Sequence, residues 1–149
     1  MSVTHKYTII CDDVRREDNG KLIVLGMYLG TITVPQLPAI LPSLTIVSLF
    51  QGERPESWSW RLSIQNMERN NQVVVEARGF ANVLAPGPGV MPVKFVGVQF
   101  QQAGAYNVVL EVEGQREPLS IDPLTLMLTP QVFPGQQAPM PGQPGFPTR

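Results

Sequence analysis

The segment Cys11–Asp18 brings a thiol, four acids and two arginines together, and Asn19-Gly20-Lys21 follows it directly. Carboxylates this close in sequence could hold a cation or share a proton. In an extended strand, however, neighbouring side chains point to opposite faces, so Asp12 and Asp13 cannot both reach one ion unless the backbone bulges there. A calcium loop needs acids at alternate positions, and that spacing is absent. The segment therefore predicts no metal site.

The elements that position these side chains are two strands joined by a turn. Asn19-Gly20 lies between two extended apolar runs, which is the strongest short-range signal for a β-hairpin. A two-residue loop would place Asp13 opposite Gly26. A three-residue loop with Gly20 in a G1 bulge would place Asp12 opposite Gly26 instead, and the order Asp18-Asn19-Gly20 favours this second loop.

In either register the charged residues form a ladder along the first strand. Asp13, Arg15 and Glu17 share one face, and Asp12 and Arg16 share the other. Opposite charges at alternate positions indicate structural ion pairs rather than a cation site. The predicted structural set is therefore Asp12, Asp13, Arg15, Asn19 and Gly20.

The chain has one cysteine and one histidine, too few for a usual zinc site. Cys11 follows Ile9-Ile10 and is predicted to be a small buried hydrophobe. His5 is predicted to be an exposed side chain near the terminus. Gly87-Pro88-Gly89 with Lys94 has some features of a phosphate loop but lacks the Gly-Lys-Ser/Thr ending. No nucleophile elbow is present, so we predict no catalytic residue, no metal and no cofactor.

Trp58 and Trp60 begin an eight-residue stretch in which apolar and polar residues alternate up to Gln65. Alternation predicts a strand with one apolar face, which makes both tryptophans core residues. The alternative is that their rings are exposed and stack on a small ligand, for example a glycan.

Composition narrows the function further. The 149 residues include 11 basic and 12 acidic side chains, so the formal net charge is −1. Such a balance provides no field to attract nucleic acid or an anionic membrane. No secretory signal or apolar stretch of membrane-spanning length is visible, which predicts a cytoplasmic protein.

Strand signals recur throughout residues 1–129, and no helical period is visible. About eight antiparallel strands in two sheets are predicted, an all-β, immunoglobulin-like β-sandwich. Within Gln102–Val108, Tyr106 resembles the tyrosine corner of such sandwiches.

The run Leu22–Leu29 is apolar on both faces and should be covered on both. The cover could be the Pro-rich crossing at 35–42, the C-terminal tail or a second subunit.

Residues 130–149 have a different composition, rich in Pro, Gly and Gln with a single charge at Arg149. Such a segment buries too little apolar surface to offset its ordering entropy, so a disordered tail is predicted after the domain at 1–129. Its P-x-x-P patterns could bind an aromatic groove, but such patterns are common in any Pro-rich stretch, which favours a solubilising extension.

The opening Tyr7–Arg15, then Asn19-Gly20-Lys21 and Gly26-Met27-Tyr28, resembles an uncharacterised family of small bacterial proteins with a C-D-D-V-R…N-G-K…G-x-Y hairpin. A Pro-rich segment follows that hairpin in the family, here at Pro35–Pro42. The resemblance extends over about residues 7 to 128. It implies a β-sandwich in the bacterial cytoplasm and no particular activity.

These observations predict a non-enzymatic protein-interaction or structural module. Its partner is another protein or a second copy in a homodimer, with neither nucleic acid nor membrane involved. The alternative function is a sandwich that binds a small ligand, such as a glycan, through Trp58 and Trp60.

Overall fold

The computed structural model describes residues 2–130 and consists of strands with one short 3-10 turn at Met67–Arg69. The predicted tail at 130–149 lies outside the described residues, apart from Pro130. The strands are β1 Val3–Arg16, β2 Leu22–Tyr28, β3 Thr31–Val34, β4 Ala39–Gly52, β5 Glu56–Asn66, β6 Gln72–Val83, β7 Gly87–Phe100, β8 Gly104–Val112 and β9 Ser120–Leu128.

These strands form two sheets. The four-stranded sheet has the order β2-β1-β4-β7, and the five-stranded sheet has the order β3-β9-β8-β5-β6. Every neighbouring pair is antiparallel except β3 and β9, which run parallel. The all-β prediction is confirmed; the described residues form nine strands where about eight were expected, and the pair β3 and β9 is parallel rather than antiparallel.

An additional strand, β3, follows the apolar run Leu22–Leu29. The chain leaves the four-stranded sheet after Tyr28 and passes through Leu29-Gly30, where Gly30 has φ of +81°. Thr31–Val34 then pairs with β9 in the other sheet. A positive φ suits glycine because it has no Cβ, so Gly30 lets the chain change sheets. Apolar residues continue on both sides of Gly30, so the sequence pattern gives no sign that one strand ends and another begins there.

The Pro-rich crossing is also shorter than predicted, because β4 already begins at Ala39. Pro42 therefore lies inside a strand. It precedes Thr45, the first β4 residue that pairs with β1, so its missing N–H interrupts no bond to β1.

The core fills the space between the two sheets. Along β5 the inward residues Trp58, Leu62 and Ile64 are buried, which the alternation predicted. Aromatic rings meet edge to face across the core, with Phe50 and Trp58 centroids 5.8 Å apart. Burial of apolar surface from both sheets is the main source of stability in such a sandwich.

Candidate functional site

The opening hairpin has the three-residue loop. The amide N–H of Glu17 donates to the carbonyl of Lys21 at 2.9 Å, and the N–H of Gly20 donates to the carbonyl of Glu17 at 2.9 Å. Gly20 has φ of +84°, which a residue with a Cβ adopts only at a cost. The side-chain oxygen of Asn19 accepts a 3.0 Å hydrogen bond from the N–H of Lys21. Asn19 and Gly20 thus stabilise the backbone conformation of the turn, one through its side-chain hydrogen bond and the other through its positive φ.

This loop sets a register in which Asp12 lies opposite Gly26. Gly26 has φ of +64°, and a Cβ at this position would lie 2.7 Å from Cγ of Asp12. The hydroxyl of Tyr28 donates a 2.5 Å hydrogen bond to Oδ1 of Asp12. Burial, followed by the neighbouring Asp12 carboxylate, raises the pKa of Tyr28 to about 12. Tyr28 therefore stays protonated and remains a donor to Asp12.

Asp13 has a principal partner that the sequence did not suggest. Nζ of Lys94, on β7, donates to Oδ1 of Asp13 at 3.0 Å, whereas Nε of Arg15 lies 3.9 Å from Oδ2. The hydrogen bond from Lys94, and then the N–H of Val14, hold the pKa of Asp13 below its usual value. Glu17 accepts from Asn19 at 3.2 Å and has no ion pair within residues 2–130. The predicted ladder on this face is therefore reduced to Asp13 and Arg15, with Lys94 added.

The outer face of the four-stranded sheet is largely apolar around these charges. Met27 and Tyr7 are about half exposed, at 55% and 54%, and Val96 is 79% exposed. Ile23 and Leu25 also remain exposed, so nothing within residues 2–130 covers the outer side of β2. We call this surface the apolar face; it comprises Tyr7, Ile9, Cys11, Ile23, Leu25, Met27, Val47, Leu49, Val90 and Val96.

Cys11 lies in the centre of the apolar face and is fully buried by its neighbours. Its Sγ is 3.6 Å from the carbonyl oxygens of Asp13 and Thr45. Burial, and then the charges of Asp12 and Asp13, raise the pKa of the thiol. A protonated, inaccessible thiol is a poor nucleophile, so Cys11 serves packing.

His5 is half-buried, not the exposed terminal side chain that the sequence suggested. Its Nε2 lies 3.0 Å from Oγ1 of Thr8, and the Thr8 hydroxyl donates to Asp122 on β9 at 2.7 Å. These contacts connect the two sheets. They do not form a nucleophile–histidine pair, because the hydroxyl proton of Thr8 is directed at Asp122 and not at the imidazole.

Trp58 belongs to the interior, whereas Trp60 is only partly buried and also lines a groove over β5, β6 and β8. Trp58 is 6% exposed, so its ring offers no surface on which a ligand could stack. Trp60 is half-buried and packs against the core. Its ring lies over Gly79, where a Cβ would approach to 2.6 Å of Cζ2. Their alternation along β5 had favoured this interior position.

The outer face of the five-stranded sheet carries an ion-pair network across β5, β6 and β8. Arg61 donates through Nε to Glu76 at 2.9 Å and through Nη1 to Glu111 at 3.1 Å. Arg78 lies 3.2 Å from Glu76. Hydrogen bonding to Glu76 raises the pKa of Arg61, and the bond from Arg61 lowers the pKa of Glu76. Arg61 and Glu76 therefore stay charged around neutral pH.

A groove of about 560 Å³ lies beside this network, with Phe80 on one wall. Phe80 is 79% exposed. The alternation of Glu76, Arg78 and Phe80 along β6 already places the ring on the polar face, so the sequence contained this signal. It could not show the groove, which needs β5, β6 and β8 side by side.

Among residues 2–130 no three His, Cys, Asp or Glu side chains come close enough to hold a metal ion. Within the same range no helix is long and apolar enough to cross a membrane.

Residues 6–121 match DUF6941, described as a family of unknown function. No curated protein matches the chain. Among solved structures, the chain is similar to the alkylpurine DNA glycosylase AlkC of Pseudomonas fluorescens bound to DNA containing an abasic site analog. The TM-score is 0.52 at 9% identity, over 85% of this chain and 30% of the glycosylase. At that identity the likeness concerns the fold alone.

The chain is also similar to two β-glucosidases. One, from Erythrobacter marinus, has a TM-score of 0.47 at 13% identity, over 85% of this chain and 15% of the enzyme. The other, from Listeria innocua in complex with glucose, has a TM-score of 0.44 at 10% identity, over 66% and 15%. These scores carry no functional argument, and the chain spans a small part of each enzyme.

Proposed function

Since the chain belongs to DUF6941, a family of unknown function matched over residues 6–121, we propose its role from its surfaces. It is a non-enzymatic protein-interaction module that uses the apolar face, and its partner there is a second copy of the chain. The observation that carries this proposal is the row of exposed apolar side chains along β2, on the outer face of the four-stranded sheet.

In an antiparallel sandwich, the outer face of each sheet normally meets water and is polar. The five-stranded sheet follows this rule around Arg61, where the ion-pair network lies on its outer side, while its exposed apolar residues Phe80 and Ile121 lie on different strands, β6 and β9. The four-stranded sheet does not, because Ile23, Leu25 and Met27 all project from its edge strand β2. A contiguous exposed apolar surface on a folded domain is typical of an interaction site.

The charges within the apolar face favour a second copy as the partner. A two-fold contact brings the same surface together twice, so the surface must be complementary to itself. Asp13, Arg15 and Lys94 provide both signs at its centre. The Arg15 side chain is 71% exposed, and its Nε lies 3.9 Å from Oδ2 of Asp13, so the two are only loosely paired. The guanidinium can therefore reach a carboxylate of the second copy.

The overall charge does not oppose self-association, since the formal net charge is −1. The same balance supports the proposal that neither nucleic acid nor a membrane surface is the partner. A cytoplasmic location is part of the proposal, supported by a lone buried thiol at Cys11.

We also propose that the sandwich is immunoglobulin-like. The support is Tyr106, whose buried hydroxyl donates a 2.6 Å hydrogen bond to the carbonyl of Gln102, four residues upstream. A tyrosine bonded to the backbone a few residues before it is the feature of the tyrosine corner.

The test compares two glutamate substitutions at equally exposed apolar positions. Met27 is 55% exposed on the apolar face, and Ile121 is 56% exposed on the other sheet. Light scattering after size exclusion should give twice the mass of one chain for the full-length protein and for Ile121→Glu. Met27→Glu should give the mass of one chain, because dimerisation would bury its charge.

A full-length protein that remains monomeric at about 100 µM, well above the Kd expected of a stable dimer, would refute self-association. An unchanged dimer in Met27→Glu would show that the copies meet elsewhere. Melting curves of both variants check that each still folds.

A further inference from the structure

A second surface, on the opposite side of the sandwich from the apolar face, has the features of a ligand site. The groove of about 560 Å³ lies over β5, β6 and β8, and its volume is within the roughly 300–1,000 Å³ of small-ligand sites. We propose that this groove binds a neutral saccharide, with Phe80 as the stacking platform. This proposal does not depend on self-association through the apolar face.

Phe80 provides the apolar contact. It lies opposite Ser59 in the β5–β6 ladder, and its ring is 79% exposed on a face whose other groove side chains are polar. An aromatic ring offers a flat surface at little cost in conformational entropy, since only two torsions must be fixed. The C–H face of a sugar ring is also flat and apolar, so it can stack on the Phe80 ring.

The opposite wall provides hydrogen-bonding groups held in place. Glu111 is fixed by its 3.1 Å bond from Arg61, and Arg61 is itself fixed by Glu76. Glu113 lies beside Ser59, because its N–H donates to the Ser59 carbonyl at 3.1 Å. Polar groups that are already ordered lose less entropy on binding, which favours recognition of hydroxyl groups.

The charge of the groove favours a neutral ligand. Arg61 and Arg78 contribute two positive charges, and Glu111 and Glu113 contribute two negative charges. An anion placed beside Phe80 would meet the glutamates, and a cation would meet Arg78. A polyhydroxylated neutral molecule can accept from the arginines and donate to the carboxylates at once.

The position of β6 favours an oligomer over a single sugar. β6 is the edge strand of the five-stranded sheet, so the Phe80 side of the groove is not closed by another strand. A chain of sugars can therefore extend past the edge while one ring lies on Phe80.

The test uses the full chain on an array of neutral oligosaccharides built from glucose, mannose, galactose and N-acetylglucosamine. Calorimetry on the best binder then compares Phe80→Ala with Ile121→Ala, an exposed residue of the same sheet outside the groove. We expect Phe80→Ala to weaken binding by about tenfold or more, the scale of one lost aromatic contact. Ile121→Ala should leave the affinity unchanged.

Glu113→Gln provides a second variant, because Glu113 is exposed and has no ion pair within residues 2–130. It should also weaken binding while preserving the melting temperature. Failure to bind any oligosaccharide of the array would overturn the proposal, as would binding that Phe80→Ala leaves intact. Acidic and basic oligosaccharides serve as charged controls, and binding of these alone would overturn the proposal too, because the groove would then select for charge.

Discussion

The hydroxyl of Tyr28 donates a 2.5 Å hydrogen bond to Oδ1 of Asp12, its diagonal neighbour across the opening hairpin. The bond exists because the three-residue loop places Asp12 opposite a residue without a side chain, Gly26. The same strand pair turns Ile23, Leu25 and Met27 toward the apolar face. The register of this hairpin thus determines both a structural contact and the surface that we propose for self-association.

The first prediction concerns Gly26. Gly26→Ala should reduce the free energy of unfolding by about 2 kcal/mol or more, because it adds a positive-φ penalty and displaces the Asp12 carboxylate from Tyr28. Gly20→Ala, with similar φ but nothing within 4 Å of its new Cβ, should cost about 1 kcal/mol. Urea denaturation measures both. Equal losses would show that the contact with Asp12 adds nothing.

A second prediction concerns Asp13 and Lys94. Because Lys94 lowers the pKa of Asp13 in the folded state, the stability from this pair is complete above the ordinary carboxyl pKa of about 3.9. It is lost as the pH falls through the lowered value. Lys94→Met should therefore lower the melting temperature at pH 7. Below about pH 4, the melting temperatures of the variant and the unsubstituted protein should become more similar.

Lys6→Met is the matched control, since Lys6 is exposed on β1 and has no ion pair within the described range. It should leave the melting temperature nearly unchanged at both pH values. A Lys94→Met deficit that is independent of pH would mean that lost packing, and not the carboxylate of Asp13, causes the effect.

Tyr106 provides the third prediction. Tyr106→Phe should reduce the free energy of unfolding by about 1–1.5 kcal/mol, because the carbonyl of Gln102 loses its hydrogen bond from a hydroxyl in a buried side chain. Tyr7→Phe, at a residue that is 54% exposed, should change it by less than about 0.5 kcal/mol. If Tyr106→Phe left the free energy of unfolding unchanged, the support for a tyrosine corner would be removed.

The fourth prediction concerns the thiol of Cys11. Burial raises its pKa and closes off access, so a disulfide reagent at pH 7.5 should leave the folded protein unmodified for hours. In guanidinium chloride one thiol per chain should react within minutes. Rapid modification of the folded protein would indicate that the apolar face opens around Cys11.

The sequence by itself determined the features that depend on neighbours along the chain. Asn19-Gly20 specified the turn, since a left-handed glycine is required there, and the alternation from Trp58 to Gln65 specified which side chains of β5 face the core. The recurring period of two, without a helical period, also indicated an all-β domain. Each of these follows from local backbone geometry, which a period of two residues records directly.

Tertiary structure decided which strands lie side by side. Lys94 reaches Asp13 although 81 positions separate them, and His5 connects through Thr8 to Asp122 on the other sheet. The groove beside Phe80 needs three strands from separate parts of the chain. A period of two tells which residues share a face, but not which strand comes next to it or which face another sheet will cover. Those choices arise from the burial of all the apolar faces together, and no single segment contains them.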